Sequence, residues 1–364
     1  MNGMRILRGS LGNWLSRLFE RVFLGRLLRQ TYMVMVGHIY FQTLSAAVQF
    51  DLFSLLARHK RLSRKEICSL IGIDEKPARI LLLGCTTLGL VRRHGDGTYS
   101  NSRLAGRLLD KEQPRNILAV IKWQHFINYR AMYHFADAIK SNRNAGLETL
   151  SGEGATLYER LTGHPELERI FQDAMQAISV QANHLLAEAV NFSRFRQLLD
   201  VGGGNATNII NLARRHADLK AMVFDAPSVC SIAEKNIQEA GMADRLGTSS
   251  GDCFKDPFPK GVDCVLFAHF MTIWSEERNR ELLKKAYEAL PAGGAVIVFN
   301  MMQDDDEKGP LSAAAGAPYF LTLATGEGML YTWSEYEAWV REAGFSKVIR
   351  RRLIRDHGII IGIK

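Results

Sequence analysis

From about residue 195 onward, short apolar runs alternate with amphipathic stretches. Residues 198–201, 221–224, 263–268 and 295–299 read as strands buried on both faces. Residues 209–215, 228–240, 276–290 and 333–343 repeat apolar positions at helical spacing, and 347–353 and 358–363 read as a closing pair of strands. Strands separated by helices predict an α/β fold with a parallel, doubly wound sheet ending in an antiparallel pair. The first half differs. Residues 31–57 read as one apolar helix. Ser63 and Glu66 stand in capping-box register before a helix that ends near Gly72, and Asp74 can cap the next. The turn His94-Gly95-Asp96-Gly97 between two short apolar runs signals a hairpin, completing a winged-helix plan. Residues 115–190 read as helical and aromatic-rich. Trp123, His125, Phe126, Tyr129, Tyr133 and His134 fall within three turns, and Phe171, Met175 and Ile178 mark a later amphipathic helix. Aromatic stripes usually form core. Here they occupy more than one face, so a ligand pocket including His125, Tyr129 and Met175 is an equal reading.

Charge changes the picture mainly at the two ends. The chain of 364 residues carries a net +8 charge, much of it in arginines before residue 30 and at Arg350, Arg351, Arg352 and Arg355. In residues 1–30, Leu11, Trp14, Leu15, Leu18 and Val22 recur at helical spacing between arginines. That basic amphipathic extension suits packing on a partner subunit better than lying on a membrane. A winged helix invites a DNA-binding reading, but its second helix carries Lys76 and Arg79 among mostly apolar residues. A base-reading helix presents several polar side chains, so an interaction module is favoured. The five cysteines are odd in number and lack Cys-x-x-Cys spacing, which suggests neither a disulfide framework nor a zinc site. With no apolar run long enough to span a bilayer, a cytoplasmic protein is expected.

The chemistry concentrates at Leu199-Asp200-Val201-Gly202-Gly203-Gly204-Asn205-Ala206, between a strand and a helix. Glycines there let the backbone turn tightly and approach a ligand. A dinucleotide fingerprint requires a small residue three positions after Gly204, where Thr207 stands, so NAD is disfavoured. Asp225 ends the next strand, where a carboxylate accepts hydrogen bonds from ribose hydroxyls; capping the helix before Pro227 is its bland alternative. In Gly251-Asp252-Cys253-Phe254, Asp252 suits an adenine amino group and Phe254 the ring face, with a simple turn as the alternative.

Together these segments resemble the S-adenosylmethionine (SAM)-dependent small-molecule methyltransferases of the caffeate and bacterial antibiotic O-methyltransferase type. The resemblance spans nearly the whole chain. It includes Phe171 to Met175, the glycine loop, Phe-Asp-Ala-Pro at 224–227, Gly-Asp-x-Phe at 251–254 and Leu-x-x-Gly-Gly at 290–294. It implies a class I, Rossmann-like catalytic domain at 191–364 and a winged-helix dimerisation domain at 31–110. A helical linker at 111–190 then contributes to the substrate pocket, and the chain is a homodimer. It further implies SAM as cofactor, held by Asp200, Gly202, Gly204, Asp225, Asp252, Phe254 and Trp274, with an aromatic or activated small molecule as acceptor.

One departure bears on chemistry. O-methylating relatives carry His-Asp-Trp after the fourth strand of the sheet, the His acting as general base. Here Thr272-Ile273-Trp274 occupies those positions, and Asn300 and Leu330 stand near the expected glutamates. A threonine cannot act as a base near neutral pH. Three explanations are open: an acceptor already nucleophilic at carbon or nitrogen, another base, or non-methylating chemistry on bound SAM. The candidate catalytic set is His269, Thr272 and Tyr331, with His269 as leading base at the carboxyl end of a strand. Asn300 joins the pocket set. The acidic run at 304–307 reads as a solvated loop without a metal-ligand pattern. A methyltransferase of specialised metabolism is expected, carbon slightly favoured over oxygen as acceptor.

Overall fold

A computed structural model describes residue 25 and residues 27–364; the amphipathic stretch through Leu11, Trp14, Leu15, Leu18 and Val22 lies outside the described residues. The described residues form two compact units, divided between Leu118 and Ala119.

In the first unit, the apolar stretch expected as one helix is broken. Helix α1 spans Gly37–Gln49 and α2 spans Leu52–His59, and their axes bend by 56°. The break falls at Asp51, whose φ of 54° is left-handed, a conformation Asp tolerates better than most residues. By length and apolarity no single described helix could cross a membrane. Helix α3 (Arg64–Ile71) starts with the expected capping box of Ser63 and Glu66 and ends at Gly72, φ 71°. Helix α4 (Glu75–Thr87) follows Asp74, which occupies the N-cap position but makes no capping hydrogen bond. Strands β1 (Leu62–Ser63), β2 (Val91–Arg93) and β3 (Thr98–Asn101) form the wing in the order β1-β3-β2. Ile80 and Leu83 leave an apolar exposed face on α4, unlike a base-reading helix.

The second unit holds a seven-stranded sheet: β4 (Gln197–Val201), β5 (Lys220–Asp225), β6 (Leu246–Ser250), β7 (Cys264–Ala268), β8 (Ala295–Met301), β9 (Lys347–Arg352) and β10 (His357–Ile363). Their order is β6-β5-β4-β7-β8-β10-β9, with β10 antiparallel to both neighbours. Helices α5 (Pro165–Ala189), α6 (Thr207–Arg215) and α7 (Pro227–Glu239) bury Leu186, Ile209 and Ile237 against one face. Helices α8 (Glu276–Ala289) and α9 (Trp333–Glu342) bury Leu282, Leu283, Tyr336 and Trp339 against the other. The chain runs outward through β4, β5 and β6, then returns to the other side of β4 as β7. That reversal opens a crevice beyond the carboxyl ends of β4 and β7, where open α/β sheets bind ligands. Residues 119–164 are short helical turns, including a π-helical turn at Gln124–Asn128; a second π turn spans Phe320–Ala324.

Candidate active site

Backbone conformation builds the first part of the site. After β4 the chain turns through Gly202 (φ 69°) and Gly204 (φ 58°), which L side chains adopt with strain. At Gly202 a Cβ would fall 2.1 Å from the Phe270 ring. The Gly204 N–H donates to Asp225 Oδ2 (3.0 Å) and the Ala226 N–H to Oδ1 (2.8 Å), so the carboxylate at the end of β5 is fixed while each oxygen retains acceptor capacity. Burial raises the Asp225 pKa, and these two bonds oppose the rise.

Asp200 on β4 is fully buried. Neither oxygen accepts a hydrogen bond of normal geometry, and Asn208 only partly offsets the cost of burial. Its pKa is pushed up to about 7, first by desolvation and further by the charge of Asp225. An unpaired carboxylate beneath a glycine turn suits a cationic ligand such as SAM, which carries a sulfonium and an ammonium group.

A loop and an aromatic cluster flank the turn. Asp252 Oδ1 accepts from the Phe254 N–H (2.9 Å) and its carboxylate pairs with Lys255 (2.8 Å), which holds its pKa low. Phe254 meets Trp274 edge-on at 4.8 Å, and the Arg278 guanidinium lies over both rings at 4.5 and 5.3 Å. The turn Met271–Ile273 that carries Thr272 is tied down by buried Asn279, which donates to Met271 O (2.8 Å) and Trp274 O (3.1 Å). Thr272 is buried, and the backbone of Gly328 packs so closely on it that a Cβ there would lie 2.1 Å from Thr272 O. Tyr331 is buried and donates its hydroxyl to Trp274 O (2.6 Å), while burial raises its pKa.

His269 follows β7 in the left-handed region, φ 54°. Its ring packs on Phe299 at 4.9 Å, and its Nε2 lies 3.1 Å from His357 Nε2. The residue is half-buried. Burial, then the neighbouring His357, holds its pKa down to about 3. Asn300 at the end of β8 is fully buried; its amide donates to Tyr336 OH (3.2 Å), and Oδ1 has no hydrogen-bond partner.

The O-methyltransferase domain family matches residues 132–346, and the O-methyltransferase dimerisation domain family matches residues 32–111. The chain belongs to the O-methyltransferase family. An L-tyrosine C(3)-methyltransferase from Streptomyces lavendulae is 36% identical over 91% of each chain. A 3-hydroxy-5-methyl-1-naphthoate 3-O-methyltransferase from Streptomyces sahachiroi is 33% identical over 89% of this chain and 91% of its own. The crystal structure of the SAM-dependent methyltransferase SibL, in its apo form, shares 39% identity over 93% of this chain and 99% of its own, with a TM-score of 0.80. The protein is thus a SAM-dependent methyltransferase with a dimerisation domain. Its relatives give no support to the non-methylating alternative.

Within this methyltransferase, the second unit brings the glycine turn, Asp200, Asp225, Phe254 and Trp274 to the carboxyl ends of β4, β5 and β7. Met175 belongs to a separate small core with Trp123, Phe171 and Tyr319, beside the π turn that carries His125; Tyr129 begins the next helical turn and is half-buried. The acidic run is engaged with the C-terminal arginines: Asp304 pairs with Arg352 at 3.0 Å and Asp305 with Arg350 at 2.8 Å. Sequence reasoning missed Phe270, Arg278, Asn279 and His357. Asn279 carried a faint signal, being an amide at an apolar position of an amphipathic helix.

Proposed function

We propose that this methyltransferase forms a carbon–carbon bond, transferring the methyl group of SAM to a ring carbon ortho to a phenolic hydroxyl in a small aromatic acceptor of specialised metabolism. One observation carries the reading. Where O-methylating relatives place His and Glu, this chain has buried Thr272 and an Asn300 bonded to Tyr336, and neither takes a proton near neutral pH. The carbon ortho to a phenol is itself nucleophilic and requires only that the hydroxyl lose its proton. The resemblance to the L-tyrosine C(3)-methyltransferase supports the same reading.

SAM, when bound, supplies an electrophilic methyl group. The chain's part is to hold and orient. Asp225 accepts from the ribose hydroxyls, the Gly202 and Gly204 turn lets the backbone approach, and Asp200 places negative charge beneath a cation. Asp252, Phe254 and Trp274 form the adenine end. His125, Tyr129 and Met175 border the acceptor; Asn300, expected there too, is fully buried against Tyr336 and does not line the pocket. His269 takes the phenolic proton; Thr272 and Tyr331 shape the turn beside it. Correct placement of two reactants supplies much of the acceleration in a displacement of this kind.

Incubation with methyl-labelled SAM and a panel of phenolic amino acids and polyketide-like phenols, read by fragmentation mass spectrometry, tests this. Label on a ring carbon is expected, and label on oxygen overturns the carbon reading. His269→Ala is expected to lower turnover about a hundredfold, the usual contribution of a placed base. Unchanged turnover removes His269 from the mechanism.

A further inference from the structure

The two histidines at the sheet's edge form a directed pair. His357 Nδ1 lies 2.8 Å from the carbonyl oxygen of Arg355, which only accepts, so Nδ1 carries the proton. Neutral His357 then has a bare Nε2. The 3.1 Å contact between the two Nε2 atoms therefore has one consistent arrangement, in which His269 Nε2–H donates to His357 Nε2. That leaves the lone pair of His269 on Nδ1, which makes no hydrogen bond among the described residues.

Topology makes this pair. β10 runs antiparallel to β8 and opens with His357 opposite Met301, so its first residue lands at the edge where the parallel strands end. Phe299 packs on both rings, at 4.9 Å from His269 and 5.3 Å from His357. The charged or titratable groups around His357 are Arg355 and Asp356 on its own turn, His184 on α5 and His269. Burial is the main cause that holds both imidazoles neutral.

We propose that His357 is a positioning residue for methyl transfer: it fixes His269 as the Nε2–H tautomer and so presents Nδ1 to the acceptor hydroxyl. The inference rests on His269 being the base. In that step the phenol O–H bond breaks and its proton moves to Nδ1, the electron pair remaining on oxygen and delocalising to the ortho carbon. As the ring carbon forms its bond to the methyl, the methyl–sulfur bond breaks, the electron pair staying on sulfur and S-adenosylhomocysteine departing; the ring carbon's own proton then leaves to solvent, the Nδ1 proton returns to oxygen, and one proton is released overall.

Three full-length proteins test this: His269→Ala, His357→Leu and His357→Gln. Gln places an amide oxygen near the lost Nε2 and can still accept from His269; Leu cannot. His357→Leu is expected to lower kcat by about 10²-fold, as misplacing a base removes most of its contribution, with SAM affinity unchanged. His357→Gln is expected to recover most of that loss. Nitrogen chemical shifts of labelled imidazoles should report the Nε2–H tautomer for His269 in the parent and a mixture in His357→Leu. A His269 that carries its proton on Nδ1, or a Leu variant as active as the parent while His269→Ala is inactive, overturns the positioning role alone. A fully active His269→Ala overturns the base assignment and this inference with it. Equal loss in the Gln and Leu variants, with the tautomer unchanged, assigns His357 to packing and refutes the proposal.

Discussion

Removing the charge of Asp200 should stabilise the protein in the absence of SAM, and by an amount that depends on pH. The carboxyl is fully buried and its pKa stands at about 7 against an ordinary 3.8, a difference of about three pH units or roughly 4 kcal/mol. The sign follows from proton counts. Between those two values the folded state holds a proton that the unfolded state has released, so stability falls as pH rises through the window and levels off above about 7. Asp200→Asn keeps the shape and loses the titration. Its advantage over the parent should be small near pH 4 and approach about 4 kcal/mol at pH 8, an upper figure because a buried site relaxes. Urea unfolding of SAM-free parent and variant at several pH values measures this directly. Parallel stability curves from pH 4 to pH 8 would refute the reasoning. The same carboxylate gives a second readout: a cationic ligand beside it lowers its pKa, so SAM affinity should rise with pH across that window in the parent and stay flat in Asp200→Asn. Calorimetric titration at pH 5 and pH 8 distinguishes the two.

Three other perturbations address separate parts of the site. Gly202→Ala forces a Cβ to 2.1 Å from Phe270 at a φ of 69°, so SAM affinity measured by calorimetry should fall at least about tenfold, given the usual cost of left-handed strain; unchanged affinity would show that the turn does not approach the ligand. Asn279→Ala removes the amide that donates to Met271 O and Trp274 O, the latter still accepting from Tyr331, and should cost about 1–3 kcal/mol in chemical denaturation; a cost near zero would mean that water replaces the amide. Asp304→Asn with Asp305→Asn removes two partly exposed pairs with Arg352 and Arg350 and should cost no more than about 1 kcal/mol, with methyl-transfer rate unchanged; lost activity would give the acidic run a role beyond these pairs.

Much of the second unit was legible because strands buried on both faces read as unbroken apolar runs, as in β7 and in residues 295–299 of β8. β6 was not, because an edge strand paired only to β5 needs no such run, and Leu246 is its one strongly apolar residue. The helix break at Asp51 left no mark on the apolar period, since a single left-handed residue bends the axis without altering the spacing of its neighbours. Ser63 announced its cap because Glu66 reciprocates three residues later, whereas Asp74 had no such partner and makes no capping bond. Of the site, the glycine turn and Asp225 were readable because their requirements are local. His357 was not, since its meeting with His269 depends on the reversal of β10 and on a pairing register that no local pattern reveals.

The two halves of the site differ in charge, and the difference fits the proposed chemistry. The ends of β4 and β5 supply Asp200 and Asp225, which favour a cation. The ends of β7, β8 and β10 supply His269, Thr272, Asn300 and His357, all neutral at physiological pH with burial holding both imidazoles uncharged. A carboxylate base on the acceptor side would put a second negative charge beside a developing phenolate. A neutral imidazole instead becomes positive as the phenol becomes negative, so the proton transfer creates an attracting pair in a dry environment, where attraction is strongest. That pairing offsets the low intrinsic basicity of His269 in the empty site. It also makes the pKa of His269 in the acceptor complex higher than in the free enzyme. The acid limb of kcat, which reports the complex, should therefore lie at higher pH than any titration of His269 in the free protein. An acid limb of kcat that coincides with the free-protein titration would separate His269 from the proton that the reaction removes.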